Sequence, residues 1–234
     1  ARGGAIESYY AGENSLEGAI IVGTVFEHNQ AGYEGGAIAL VAPYFTSHLV
    51  ENTFNDNVTT ATGFGGGIYA TYPQRIVIQR NKFSGNQSGY GAGLYITGSA
   101  AWDPLSKSWG DVVTNNILLN NTADTGGALF LSQTAYISVM NNTMAGNVAH
   151  DTGGTACLYD VDAQFYNNIF SFTTESEAIH TYAGDSDTYI EFAYNDWYRN
   201  DMDNLGGAVK TLSNTALTIP PQFANWTHNG DPSD

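Results

Sequence analysis

The chain has 234 residues, enough for one domain or one elongated stack, and carries 7 Lys plus Arg against 23 Asp plus Glu, a formal net charge of −16. That balance excludes a basic nucleic-acid footprint and disfavours an anionic membrane surface. Hydrophobic residues make up 42% with no apolar run of membrane-spanning length, and the single Cys157 can form neither an internal disulfide nor a cysteine-based zinc site.

In chain order, two short phrases alternate. Gly3-Gly4-Ala5-Ile6 comes first, then Phe26 with Asn29, then Gly35-Gly36-Ala37-Ile38. Asn52-Thr53-Phe54-Asn55-Asp56-Asn57 follows, and after it Gly65-Gly66-Gly67-Ile68. The pattern continues through Asn81-Lys82-Phe83 to Asn86, Gly91-Ala92-Gly93-Leu94, Asn115-Asn116-Ile117 to Asn120, and Gly126-Gly127-Ala128-Leu129. It runs on through Asn142-Thr143-Met144 to Asn147, Gly153-Gly154-Thr155-Ala156, Asn168-Ile169-Phe170, Ser176-Glu177-Ala178-Ile179, Asn195-Asp196-Trp197 to Asn200, and Gly206-Gly207-Ala208-Val209. Taking Phe26, Phe54, Phe83, Ile117, Met144, Phe170 and Trp197 as anchors, the intervals run from 26 to 34 residues. No sustained helical stripe accompanies this period. The intervening runs are short, β-branched and aromatic, bounded by Gly, Asn and Asp.

A repeat of this length built from short strands and turns predicts an all-β, right-handed parallel β-helix of about eight coils, each stacked on the last at roughly 4.8 Å. Equivalent asparagines then sit one above another and bond along the axis. Two such ladders are expected: Asn52, Asn81, Asn115, Asn142, Asn168, Asn195; and Asn29, Asn57, Asn86, Asn120, Asn147, Asn200. The anchors should fill the interior with the residues five before them, Ile21, Leu49, Ile78, Val112, Val139, Phe165 and Phe192. Glycines serve the bends. The helix is expected over 1–215, with 216–234 a non-repeat tail running into a missing cap; the stretch Gly98–Gly110 reads as a loop inserted at a turn.

The same frame points side chains outward. On one face Trp109, Asp111, Tyr136, Asp162, Gln164, Tyr189 and Glu191 cover consecutive coils. Aromatic rings stack on pyranose faces and carboxylates bond hydroxyls, so this face suits a sugar polymer. If the protein is an enzyme, Asp111, Asp162 and Glu191 are the candidate catalytic carboxylates, with Asp111 and Asp162 two coils, about 9–10 Å, apart. On another face the residue after each glycine phrase should point out, which makes Tyr69, Tyr95 and Phe130 an exposed aromatic ladder. A lyase would draw on the basic residues of one coil, Arg75, Arg80 and Lys82, with calcium bridging to an acidic substrate. Asp185, Asp187, Asp201 and Asp203 are turn carboxylates with oxygen-ligand character.

The paired phrases Gly35–Ile38 with Phe54 to Asn57, and Phe83 to Asn86, resemble the passenger repeats of chlamydial polymorphic outer-membrane autotransporters. The run Pro221-Gln222-Phe223 with Asn229-Gly230-Asp231 is similar to the end of many bacterial β-helix surface proteins. The resemblance implies the β-helix fold shared with pectate lyases and polygalacturonases, and a secreted or cell-surface location. The expected partner is a polysaccharide or a cell-surface protein, with no nucleic acid and no membrane insertion. Three functions remain open: an adhesin-like binding module, a polysaccharide-degrading hydrolase or calcium-assisted lyase, and a spacer stalk.

Overall fold

The computed structural model describes residues 3–9, 18–43, 45–98, 110–134, 136–182 and 189–207. Every regular element among them is a β-strand, and every ladder is parallel. Sheet I stacks eight strands: Ile6–Tyr9, Ile38–Val41, Ile68–Thr71, Leu94–Thr97, Leu129–Ser132, Ala156–Tyr159, Ile179–Tyr182 and Leu205–Gly207. Sheet II stacks seven: Ile20–Val22, Ser47–Val50, Ile76–Gln79, Asp111–Thr114, Ile137–Met140, Ala163–Tyr166 and Ile190–Ala193. Sheet III stacks seven more, from Val25–Glu27 through Ile117–Leu119 to Asp196–Tyr198. A short sheet IV of Gln87–Tyr90, Thr122–Thr125 and Val148–Thr152 closes three of the coils between sheets III and I.

This is a parallel β-helix, with the right-handed winding that parallel crossovers take. Sheet I spans seven turns between Ile6 and Leu205 and sheet II six between Ile20 and Ile190, slightly fewer than the eight coils expected. Residues 208–234, which include the expected tail, lie outside the described residues, as do 99–109 of the expected loop.

The core is a set of stacked columns. Phe26, Phe54 and Phe83 stack in sheet III with centroid separations of 5.0 and 4.7 Å and interplanar angles of 8° and 4°. Further along the axis Phe170 lies 4.5 Å from Trp197, and Phe165 lies 5.0 Å from Phe192. These distances match the spacing between strands, and Leu118 and Met144 continue the sheet III column between Phe83 and Phe170.

The asparagine ladders explain both sheet II–III and sheet III–IV turns. These turns are a left-handed residue followed by a ladder position, asparagine except at Thr24 and Thr173, as in Arg80-Asn81 with φ of 54° at Arg80. Asn81 uses its whole amide: Oδ1 accepts from Asn52 N at 2.8 Å and Asn52 Nδ2 at 3.1 Å, and Nδ2 donates to Leu49 O at 2.8 Å and Asn116 Oδ1 at 3.1 Å. Two donors and two acceptor sites are therefore satisfied in a dry interior. The first ladder runs Asn52, Asn81, Asn116, Asn142, Asn168, Asn195. The second runs Asn29, Asn57, Asn86, Asn121, Asn147; Thr173 then takes the position, and its N–H donates to Asn200 Oδ1 at 3.1 Å.

The fourth repeat is therefore shifted by one residue from the expected frame. Asn116 and Asn121 carry the ladders, whereas Asn115 and Asn120 are the left-handed residues before them, with φ of 56° and 52°. Leu118, fully buried, is the core anchor in place of the exposed Ile117, and Val113 points inward in place of Val112. The glycine phrase has its own division of labour. Gly35 has a φ of 60°, which favours glycine, and a Cβ on Gly36 would collide with the carbonyl oxygen of Gly66 in the next coil.

Candidate functional site

The one-residue shift decides the fate of the expected carboxylates. Asp111 is fully buried and sits in the inward column that pairs with Ile137, and its Oδ1 accepts the Ile76 N–H at 2.8 Å. It is a structural residue of the helix wall and not a surface acid. Trp109 lies outside the described residues.

The rest of that face comes together over three coils. Sheet II registers Ser138 with Gln164 and Gln164 with Glu191, and in the next outward column Met140 with Tyr166. Asp162 and Tyr189 lie just before these strands, and the Tyr189 N–H donates to Asp162 Oδ1 at 2.7 Å. Tyr136 occupies the corresponding position one coil earlier and is half-buried. Glu191 is the hub: its Oε2 accepts from Tyr189 Oη at 3.0 Å and from Gln164 Nε2 at 3.3 Å. Tyr166 also bonds Glu191, and burial followed by that bond pushes its phenol well above the ordinary value. The bond to Glu191 raises Tyr189 in the same direction. Both phenols therefore stay protonated and neutral at physiological pH.

Tyr189 remains 45% exposed, so an anchored ring is presented to solvent beside an anchored carboxylate and an amide. Tyr166 is a member of this face that the sequence frame passed over. The signal was available, because Tyr166 stands two residues after Gln164 and shares its direction in the strand.

The second predicted face is different in character. Tyr69, Tyr95 and Phe130 do form one outward column, with centroids 5.5 and 5.0 Å apart, and Leu40, Ile96 and Leu131 point inward and are fully buried. The column is covered rather than exposed. Phe64 lies 4.9 Å from Tyr95 and 5.2 Å from Tyr90, and Tyr90 meets Phe130 edge-on at 5.8 Å. Tyr69 keeps 8% of its surface and Phe130 9%. Burial pushes the Tyr95 phenol up to about 12. These rings are a small second core on the outside of sheet I.

The basic residues of one coil are separated. Arg75 Nε donates to Gly110 O at 2.9 Å, Arg80 Nε pairs with Glu51 at 2.8 Å at the ladder turn, and exposed Lys82 is on sheet III. They do not converge on one site. Asp201 and Asp203 are exposed, Asp185 and Asp187 lie outside the described residues, and nothing among the described residues supports a calcium site.

The chain is thus a parallel β-helix that displays a polar, aromatic face on sheet II. The family described as Periplasmic copper-binding protein (NosD) matches residues 13–190, most of the chain, and the chain belongs to this family. No curated protein matches it. No solved structure matches it. Of the resemblance drawn from the repeats, the β-helix architecture is what the family supports. NosD is a periplasmic family, which gives the chain an envelope or extracellular location in the coarse sense.

The donor set does not fit the copper of the family's description. Copper favours converging imidazole and sulfur ligands. Among the described residues no three His, Cys, Asp or Glu side chains gather where an ion would sit. Cys157 is fully buried, with burial pushing its thiol up to about 12, and Met144 is inside the core. No step of a mechanism is therefore assigned to copper.

Proposed function

We propose that the chain is an envelope or extracellular binding module that takes a neutral polysaccharide along sheet II. The single observation that carries this reading is the Glu191 hub, which fixes Tyr189, Tyr166 and Gln164 around one carboxylate. A fixed ring loses little side-chain freedom when a pyranose stacks on it, and a fixed carboxylate and amide offer bonds to its hydroxyls. The face extends along the axis from Asp162, Gln164 and Tyr166 in one coil to Tyr189 and Glu191 in the next. The net charge of −16 favours a neutral chain over a polyanion.

Binding is preferred to hydrolysis because the two remaining carboxylates are committed. Asp162 holds the Tyr189 amide, and Glu191 holds three side chains. A general acid and base need protons that can leave and arrive.

The test is retention on a panel of immobilised neutral and acidic polysaccharides, with released reducing ends and unsaturated uronate read in parallel. Wild type should be retained by a neutral polysaccharide without product release. Tyr189→Ala and Glu191→Ala should each weaken retention about tenfold or more, a loss of roughly 1.4 kcal/mol. Product release that disappears in Asp162→Asn would replace this reading with a hydrolase. Retention by no polysaccharide would remove it.

A further inference from the structure

Sheet IV carries a groove of about 190 Å³, distinct from the sheet II face, lined by Thr59, Gln87, Ser88, Thr122, Asp124 and His150 among others. The groove is partly open to solvent and has room for a small polar molecule. Its shape follows from a glycine and a β-bulge in one column. Tyr90 pairs with Thr125 and Ser88 with Ala123, so Gly89 stands opposite Asp124. A side chain on Gly89 would collide with the Ala61 carbonyl; its absence lets the turn at 60–63 close down as one wall. On the other side, Ala123 pairs with Ala149 but Thr125 pairs with Thr152, so His150 and Asp151 together oppose Asp124. This is a β-bulge, a device that re-aims side chains and recurs beside binding sites.

The lining is chemically mixed, with Ala61 and Ala123 beside the polar groups. Gln87 offers both an amide donor and an acceptor, Thr122 a hydroxyl, and Asp124 a two-oxygen acceptor. His150 forms the far wall, with Nδ1 held 2.7 Å from Glu175 Oε2. Asp124, Asp151 and Glu175 surround this end of the groove, so an anion is repelled. A carboxylate beside an amide and a hydroxyl matches adjacent hydroxyls on a ring: both oxygens accept, and the neighbours donate or accept in turn.

We propose that the sheet IV groove is a second binding site, taking a single neutral hexose ring with Asp124 accepting from two adjacent hydroxyls and Gln87 and Thr122 bonding their neighbours. It does not depend on the sheet II face, because sheet III separates the two.

The experiment is a titration of the isotope-labelled full chain with free glucose, galactose and mannose, followed by amide NMR into the tens of millimolar. At least one hexose should shift the amides of Gln87, Ser88, Ala123 and Asp124 saturably. Asp124→Ala and the exposed-site variant Gln87→Ala should each weaken that binding severalfold, and Tyr189→Ala should leave it unchanged. The proposal is overturned if no hexose moves these amides, if both groove variants bind as wild type does, or if Tyr189→Ala abolishes the shifts.

Discussion

Asn81 Nδ2 donates to Asn116 Oδ1 at 3.1 Å across 35 residues of chain, and Asn81 N donates to the same oxygen at 2.9 Å. This pair bridges the widest sequence interval in the ladder. Removing the Asn116 side chain strips the acceptor from two buried donors and a donor from Ile78 O. Asn116→Ala should therefore cost about 3–5 kcal/mol, from roughly 1–3 kcal/mol for each buried group left unsatisfied. Its neighbour Asn115, exposed with φ of 56°, should accept glycine with a change under about 1 kcal/mol. Urea unfolding midpoints of the two variants check this, and equal losses would contradict it.

The adjacent anchor gives a second contrast. Leu118 is fully buried and Ile117 is 45% exposed. Leu118→Ala should destabilise by about 2–5 kcal/mol, the range for a buried leucine left as a cavity, and Ile117→Ala by less than about 1 kcal/mol. Thermal unfolding of both variants decides the register of this coil independently of the ladder.

These two contrasts mark the limit of what the sequence discloses. The six phrases outside the fourth repeat are legible because none doubles both asparagines; Asn141-Asn142 and Asn167-Asn168 are doubled only at the first position. In Thr114-Asn115-Asn116-Ile117-Leu118-Leu119-Asn120-Asn121 both asparagines are doubled and three apolar residues are adjacent, so the phrase fits two registers one residue apart. A left-handed position and a ladder position both favour asparagine, and only stacking on Asn81 and Asn142 distinguishes them. The slip moved Asp111 from the core to the surface in the expected frame, as a one-residue shift in any strand must. The aromatic column on sheet I was legible as a column, but its cover was not, because Phe64 and Tyr90 arrive from a preceding turn and strand. Sheet IV was not legible at all: Gln87–Tyr90, Thr122–Thr125 and Val148–Thr152 carry no shared hydrophobic alternation. The pair His150-Asp151, which looks like a turn in sequence, lies in the last of these strands.

The covered aromatic column makes a spectroscopic prediction. Phe64 lies over Tyr95, whose phenol burial raises to about 12. Phe64→Ala should admit water, lower the Tyr95 titration midpoint toward the ordinary value of about 10, and cost about 2–4 kcal/mol of stability. Phenol carbon NMR across alkaline pH would show it. An unchanged Tyr95 midpoint would mean that the cover is not Phe64.

His150 supplies the pH dependence. The bond to Glu175 raises its imidazole above the ordinary value. A raised histidine stabilises the fold below its unfolded value, and that contribution fades as pH rises through the folded one. His150 is largely exposed, so the effect on stability is small and the titration itself is the better readout. Glu175→Gln should bring the His150 ring midpoint down toward about 6.5 in a proton NMR titration. A midpoint indifferent to this change would dissolve the pair.

The most direct test of the account is to map where a retained polysaccharide sits. Short oligosaccharides cut from the polysaccharide that holds the wild-type chain would be titrated into labelled protein and the amide shifts placed on the coils. The account predicts shifts concentrated at Tyr136, Gln164, Tyr189 and Glu191, lost in Tyr189→Ala. Shifts confined to the covered column of sheet I or to sheet III, with Tyr189→Ala binding as wild type does, would contradict it.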